Sequence, residues 1–215
     1  MADDTPGKPD GSGDPLAQIR RGGQDALAAL FMQHRQRLKR MIHVRLDRRV
    51  AGRIDPSDVL QEAYMDASRR LEEYLAKPSM PLFLWLRFLT GQRLMAIHRR
   101  HLGTQKRDPR QEVALERGGM PRADSASLSI ELLGRLTTPS RAAMRGEMQA
   151  KLEDLLTRLD PLDREILALR HYEELTNNEA ADELGITPAA ASKRYIRALE
   201  RLRAVLASVP GFGQP

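Results

Sequence analysis

Apolar side chains recur every three or four residues along most of this chain, and no alternation of period two runs for a useful length. That spacing predicts helices. Leu27, Leu30, Phe31, Leu38, Met41 and Ile42 form one stripe. A second helix opens at Asp55-Pro56-Ser57-Asp58, where Asp55 can cap the free N–H groups of the first turn and Pro56 takes a position whose N–H would be unpaired anyway. Its apolar stripe is Val59, Leu60, Ala63, Tyr64, Ala67, Leu71 and Tyr74, with Asp58, Gln61, Glu62 and Asp66 on the other side. A third helix, from about Pro81 to His101, carries Leu82, Trp85, Leu86, Leu89, Leu94 and Ile97. Beyond it, Leu152, Leu155, Leu156 and Leu159 mark a Leu-rich helix. Asp160-Pro161 opens a further one with Ile166, Leu167 and Leu169. The pattern predicts an all-α protein of two helical domains joined by a flexible linker.

Composition divides the chain further. Residues 1–15, rich in Gly, Pro and Asp, predict a disordered leader without the basic and apolar regions of a secretion signal. Residues 16–101 form the first helical block. Residues 102–146 are interrupted by Gly, Pro and Ser and predict a linker, with a short helical piece around Ser129–Leu136. Residues 147–207 form the second block, and 208–215 a loose tail.

The second block contains the segment LTNNEAADELGITPAAASKRYIRALERLR. Thr176 and Glu179 have the spacing of a capping box. Ala180, Ala181 and Leu184 face inward, and Gly185 supplies a left-handed helix end. Ile186 plugs the turn. Thr187 caps the next helix and Pro188 starts it. On that helix Ala191, Tyr195, Ala198, Leu202 and Val205 share one face, which leaves Ala189, Ser192, Lys193, Arg194, Arg197 and Arg201 outward. Two capped helices across a glycine turn, the second with a basic outer face, predict a helix-turn-helix that enters a DNA major groove. An ordinary αα-hairpin is the plainer alternative.

Charge agrees. The chain carries a formal net charge of +6 and a pI of about 10.0, which favours polyanionic partners. Between Glu73 and Asp108 there is no carboxylate, whereas the same stretch holds Lys77, Arg87, Arg93, Arg99, Arg100, Lys106 and Arg107, with His98, His101 and the single Trp. Cations beside an aromatic ring suit single-stranded nucleic acid. Trp85 also reads as a core anchor, and the acidic face of the second helix reads either as a solvated surface or as a docking surface. The absence of cysteine excludes disulfides and thiolate chemistry, and the five histidines lack ligand spacing, so no metal or cofactor is expected.

LDPLDREILALRHYEELTNNEAADELGITPAAASKRYIRALERLR resembles the fourth conserved region of the sigma-70 family. DPSDVLQEAYMDA and LWLRFLTGQRLMAIHRR resemble the second conserved region of its extracytoplasmic-function group. The resemblance implies a cytoplasmic, non-enzymatic initiation factor of bacterial RNA polymerase. It implies that Asp58, Gln61, Glu62 and Asp66 dock on the β′ clamp helices. Trp85, Arg87, Gln92, Arg93, His98, Arg99 and Arg100 would melt and read the −10 element. Thr187, Ala189, Ser192, Lys193, Arg194 and Arg197 would read the −35 element as duplex, with the second block seated on the β flap. An anti-sigma factor is a further implied partner. Gln92 and Ala96 stand where the family often has Asn and Asp, and the Ala189–Ala191 run leaves few side chains for base contacts. The rival readings are a dimeric helix-turn-helix repressor and a DNA recombinase.

Overall fold

The computed structural model describes residues 14–102, 120–136 and 142–207. Most of the leader, the tail, and the basic pair Lys106 and Arg107 lie outside the described residues. The elements are α1 (Pro15–Arg45), α2 (Arg48–Ala51), α3 (Pro56–Arg69), α4 (Leu71–Ala76), α5 (Leu82–Leu102), α6 (Ser125–Leu136), α7 (Ala142–Arg158), α8 (Pro161–Leu167), a π-helical turn (Ala168–Tyr172), α9 (Asn177–Leu184) and α10 (Pro188–Ala207). No strand occurs among the described residues, so the all-α expectation holds.

Local chemistry sets the boundaries. Asp14, Asp47, Asp55 and Asp160 each cap a helix start by accepting an N–H from the first turn, and Pro15, Pro56 and Pro161 follow three of them. Gly23 kinks α1, at φ 53° and ψ −130°. The stripe expected to run unbroken from Val59 to Tyr74 is divided at Arg70, where φ −101° and ψ 9° separate α3 from α4.

Two apolar cores result. In the first, α1, α3 and α5 enclose Leu27, Leu38, Ile42, Val59, Leu86 and Leu94, all almost fully buried. In the second, α6, α7, α8 and α10 enclose Leu128, Leu152, Leu156, Ala198 and Leu202. Each fully buried Leu contributes ~1.5–3 kcal/mol relative to exposure.

The stretch predicted as linker is therefore shorter than expected. Within it α6 spans Ser125–Leu136, longer than the helical piece predicted, and packs on α7 because Leu128, Leu132 and Leu133 share a face. Asp124 caps α6 by accepting the Ser127 N–H at 2.9 Å.

The two blocks also share their cores. Ile166, Leu169, Leu175, Ala180, Ala181 and Ala191 of the second block pack into the first core, and Val44 of α1 joins the second. The Asp124 N–H donates to the Val44 carbonyl at 2.8 Å, tying the start of α6 to the end of α1. The domains are in contact along a seam, and α5 and α9 face each other across it.

Candidate nucleic-acid interface

The helix-turn-helix forms as its residues dictate. Thr176 accepts the Glu179 N–H while the Glu179 carboxylate accepts the Thr176 N–H, so both donors are satisfied reciprocally. Gly185 sits at φ 63°, where a side chain would be strained, and the Ile186 N–H returns to the Ala181 carbonyl at 3.0 Å. Thr187 accepts the Ala190 N–H at 3.2 Å, and the Asn177 amide donates to the Pro188 carbonyl at 2.9 Å, locking the two helix starts together. Thr187, Ala189, Ser192, Lys193 and Arg197 are exposed on one continuous surface.

Arg194 departs from the outward group. Its guanidinium folds back on α8 and pairs with Asp163 at 2.6 Å and Asp160 at 3.1 Å. The hydrogen bond to Asp163 is the main reason its pKa rises further. Asp163 is nearly fully buried, so this pair fixes the angle between α8 and the recognition helix and does not offer a free cation to DNA.

On α5 most of the expected readers are engaged. Trp85 is 7% exposed and stacks on Tyr74, with ring centroids 4.2 Å apart and planes 10° apart, so the core reading of Trp85 describes its surroundings. Arg87 is 2% exposed and pairs with Glu173 at 2.5 Å and Glu183 at 2.8 Å, both from the second block. Arg93 pairs with Asp66, and its Nη1 lies 3.6 Å from Glu62. The His98 ring accepts the Asp47 N–H at 3.3 Å; burial pushes its pKa down, which Asp47 opposes and Arg49 reinforces. Gln92, accepting from Arg70 at 3.3 Å, is exposed, as are Arg99 and Arg100. Phe88 is 40% exposed and was not among the expected readers. Its signal in the sequence is its place one turn beyond Trp85, on the flank that the core does not use.

Phe88 opens on a cleft of about 270 Å³ along the seam. Leu84, Arg87, Gly91 and Gln92 of α5 form one wall, and Glu179, Asp182 and Glu183 of α9 form the other. The α9 carboxylates thus lie beside the face of α5 expected to meet nucleic acid.

The acidic face of α3 is split. Asp58, Gln61 and Glu62 are exposed, with the half-exposed Met65 beside them. Asp66 is 5% exposed and accepts from Arg93 and Arg69. Its hydrogen bond to Arg93 is the largest influence on its carboxyl, burial opposes it, and the net shift is below the usual range. Asp66 joins α3 to α5, whereas the other three residues are exposed, Glu62 with Arg93 3.6 Å away.

A further group was legible in the sequence only through Arg87. Arg37, Arg40 and Arg45 of α1, with Arg87 of α5, converge on the turn that follows the π-helical segment. Arg45 is 1% exposed and donates to Glu173 at 2.5 and 2.8 Å and also pairs with Glu165. Burial pushes the Glu173 carboxyl up, but Arg45 and Arg87 outweigh it and hold the group below its ordinary range.

Among the described residues no cluster of His, Cys, Asp or Glu could hold a metal ion, and no helix is long and apolar enough to cross a membrane. The family model described as sigma-70, region 4 matches residues 155–204, from the last turn of α7 to the last turn of α10. That segment is similar to region 4 of the sigma-70 family and covers less than half of the chain. No curated protein matches the chain. A solved structure, CnrH in complex with the cytosolic domain of CnrY, is 20% identical with a TM-score of 0.51, over 92% of this chain and 99% of that one. It shows that the two-block helical fold is shared over nearly the whole length.

Proposed function

We propose that this chain is a sigma factor of the extracytoplasmic-function type, which binds core RNA polymerase and directs it to promoters. The observation that carries this reading is the doubly capped helix-turn-helix within the region 4 match, with Ser192, Lys193 and Arg197 exposed on its outer face. That face reads the −35 element in the major groove, with Lys193 and Arg197 reaching guanine edges or phosphates and Thr187 and Ala189 at the base-proximal end.

The first block captures the −10 element as single strand. Gln92, Arg99, Arg100 and the exposed ring of Phe88 are the groups free to do so, and Arg87, Arg93 and His98 support them from behind. Each captured base contributes ~1–3 kcal/mol, comparable with the ~1.4 kcal/mol mean cost of opening one base-pair step. Melting is then close to balance, and the polymerase tips it. Asp58, Gln61 and Glu62 dock on the β′ clamp helices, the second block rests on the β flap, and an anti-sigma factor competes for these surfaces. The chain acts in the cytoplasm and performs no catalysis itself.

Purified chain added to core polymerase is expected to give promoter-specific run-off transcripts and permanganate-reactive thymines around the −10 element. Transcription unaffected by removal of residues 14–102 would refute the reading. A repressor would instead dimerise, and the exposed apolar pair Ile196 and Leu199 on α10 is where it would do so. A monomer in gel filtration is expected.

A further inference from the structure

A second stretch poor in carboxylates runs through α1 and α2. From residue 26 to residue 54 the only carboxylate is Asp47, whereas the same stretch holds eight arginines and lysines with His34 and His43. Arg37, Arg40 and Arg45 turn inward to the second block. Arg48, Arg49 and Arg53 stay exposed, at the corner where α1 gives way to α2 and to the loop before α3. That corner is held firmly for so short a segment. Leu46 and Val50 are each 3% exposed, and half-buried Ile54 packs on the same core. The Val50 and Ala51 N–H groups donate to the Asp47 carbonyl at 3.0 Å, and the Arg53 N–H donates to the Val50 carbonyl at 2.9 Å. Three apolar anchors at a spacing of four leave the arginines between them on the outside.

The corner also adjoins the end of α5. The Asp47 N–H donates to the His98 ring at 3.3 Å, and Arg49 is close enough to act on the charge of that ring. Arg99, Arg100 and His101 follow on the exposed last turn of α5. Two runs of cations that are far apart in sequence thus meet at one place. The carboxylates nearby are few and engaged. Asp47 accepts from the Arg49 guanidinium at 2.7 and 2.9 Å, Asp55 caps α3, and Glu153 of α7 lies 3.4 Å from Arg48. Arg53, Arg99 and Arg100 have no carboxylate partner among the described residues. Cations gathered on a firm surface and left without neutralising partners favour a polyanion. No aromatic residue lies between positions 46 and 54, whereas single-strand capture leans on stacking. The corner fits instead a stiff paired backbone, whose phosphates come at fixed intervals.

We propose that the α1–α2 corner is a second DNA site of the first block: Arg48, Arg49 and Arg53, beside Arg99 and Arg100, grip the phosphates of duplex DNA where it adjoins the strand that α5 captures. The ligand class is the paired sugar–phosphate backbone, held without regard to base sequence. The site rests on the sigma-factor reading for the identity of the captured strand. Its role there is one of register. Phosphate contacts position a protein on the duplex, so a fixed grip on paired backbone offers the same bases to α5 each time.

The test uses the full chain in a Lys193→Ala, Arg197→Ala background, so that α10 does not carry the duplex. The probes are a fluorescent short duplex with a single-stranded overhang and a fluorescent single strand of the same length, both of mixed sequence. The background chain should bind the overhanging duplex more tightly than the single strand. Arg53→Ala should lower the slope of log affinity against log salt by about 0.9 on the overhanging duplex, the value of one phosphate contact. It should leave binding of the single strand unchanged. Gly52→Asp should weaken the overhanging duplex at least as far. Gly52 has an ordinary helical backbone and a Cβ there meets nothing within 4 Å, so the added carboxylate fits without disturbing the fold. Arg158→Ala removes an exposed cation from α7 and should change neither probe. Folded Arg53→Ala and Gly52→Asp proteins that bind the overhanging duplex as their background does would overturn the site. So would a background that holds both probes equally, or equal losses on the two, which would make the corner a general polyanion surface. No polymerase enters this assay, so slopes that change as expected in a chain that fails to start transcription would sink the sigma-factor reading alone.

Discussion

The outer face of α10 and the basic face of α5 both lie on long helices and both are proposed to meet DNA, yet they are in opposite states. On α10, Ser192, Lys193 and Arg197 are exposed, and one arginine, Arg194, is diverted to hold the helix in place. On α5, Trp85 and Arg87 are buried, Arg93 is paired, and the remaining cations lie at the far end of the helix. The difference teaches that a basic, aromatic sequence states capacity and not availability. Duplex recognition needs a rigid preformed surface. On α5 the groups are held by neighbours instead, Trp85 by Tyr74 and Arg93 by Asp66 within the first block, and Arg87 by Glu173 and Glu183 of the second.

The largest expected effects lie on the closed side. Glu173→Ala leaves Arg45 and Arg87 buried without their shared counter-ion and should cost about 3–5 kcal/mol by urea denaturation. A loss under 1 kcal/mol would mean that the seam is not closed in solution. Trp85→Ala should cost a similar ~3–5 kcal/mol because it opens a cavity against Tyr74, while Trp85→Phe keeps a ring there and costs less. A Trp85→Ala protein of full stability that no longer binds single-stranded DNA would reverse the assignment and make Trp85 a stacking platform.

On the open side, Lys193→Ala and Arg197→Ala should leave stability within about ±0.5 kcal/mol. Each should weaken duplex binding by ~1–3 kcal/mol if it meets a base edge, or lower the salt slope by about one if it meets a phosphate. A titration against salt separates the two. Gly185→Ala should destabilise the turn by ~1–2 kcal/mol, the cost of a left-handed backbone for a residue with a Cβ. Thermal melting would read it.

The smallest effect is protonic. Burial lowers the pKa of His98 and of His34. Each sits below the ordinary value of about 6.5, so its contribution is fully present above that value and is lost as pH falls through it toward the folded pKa. His98→Gln should lessen the loss of stability between neutral and mildly acidic pH but not abolish it, because His34 remains. Glu173, held below its ordinary range, keeps its contribution through that window and yields it only in stronger acid.

Features that depend on neighbours a few residues away were legible in the sequence. The Thr176–Glu179 capping box, the left-handed Gly185, the Asp55-Pro56 and Asp160-Pro161 helix starts and the buried stripe of α10 all follow from side chains meeting backbone within one turn. The exposed reading face of α10 follows as its complement. The fold class was legible for the same reason, since a period of three to four is a local property. The division at Arg70 and the left-handed Glu174 were not, because no glycine or proline marks them.

What the sequence by itself determined about this protein is its helical class, its capped helix starts and which side of each long helix is apolar, because these are settled by interactions spanning four residues or fewer. Only the tertiary structure decided which charges remain free. Arg87 meets Glu173 from 86 positions away and Arg45 meets it from 128. Composition cannot show such a pairing, because desolvating a charge costs several kcal/mol unless a partner arrives in the right geometry, and that geometry exists only once both cores have packed.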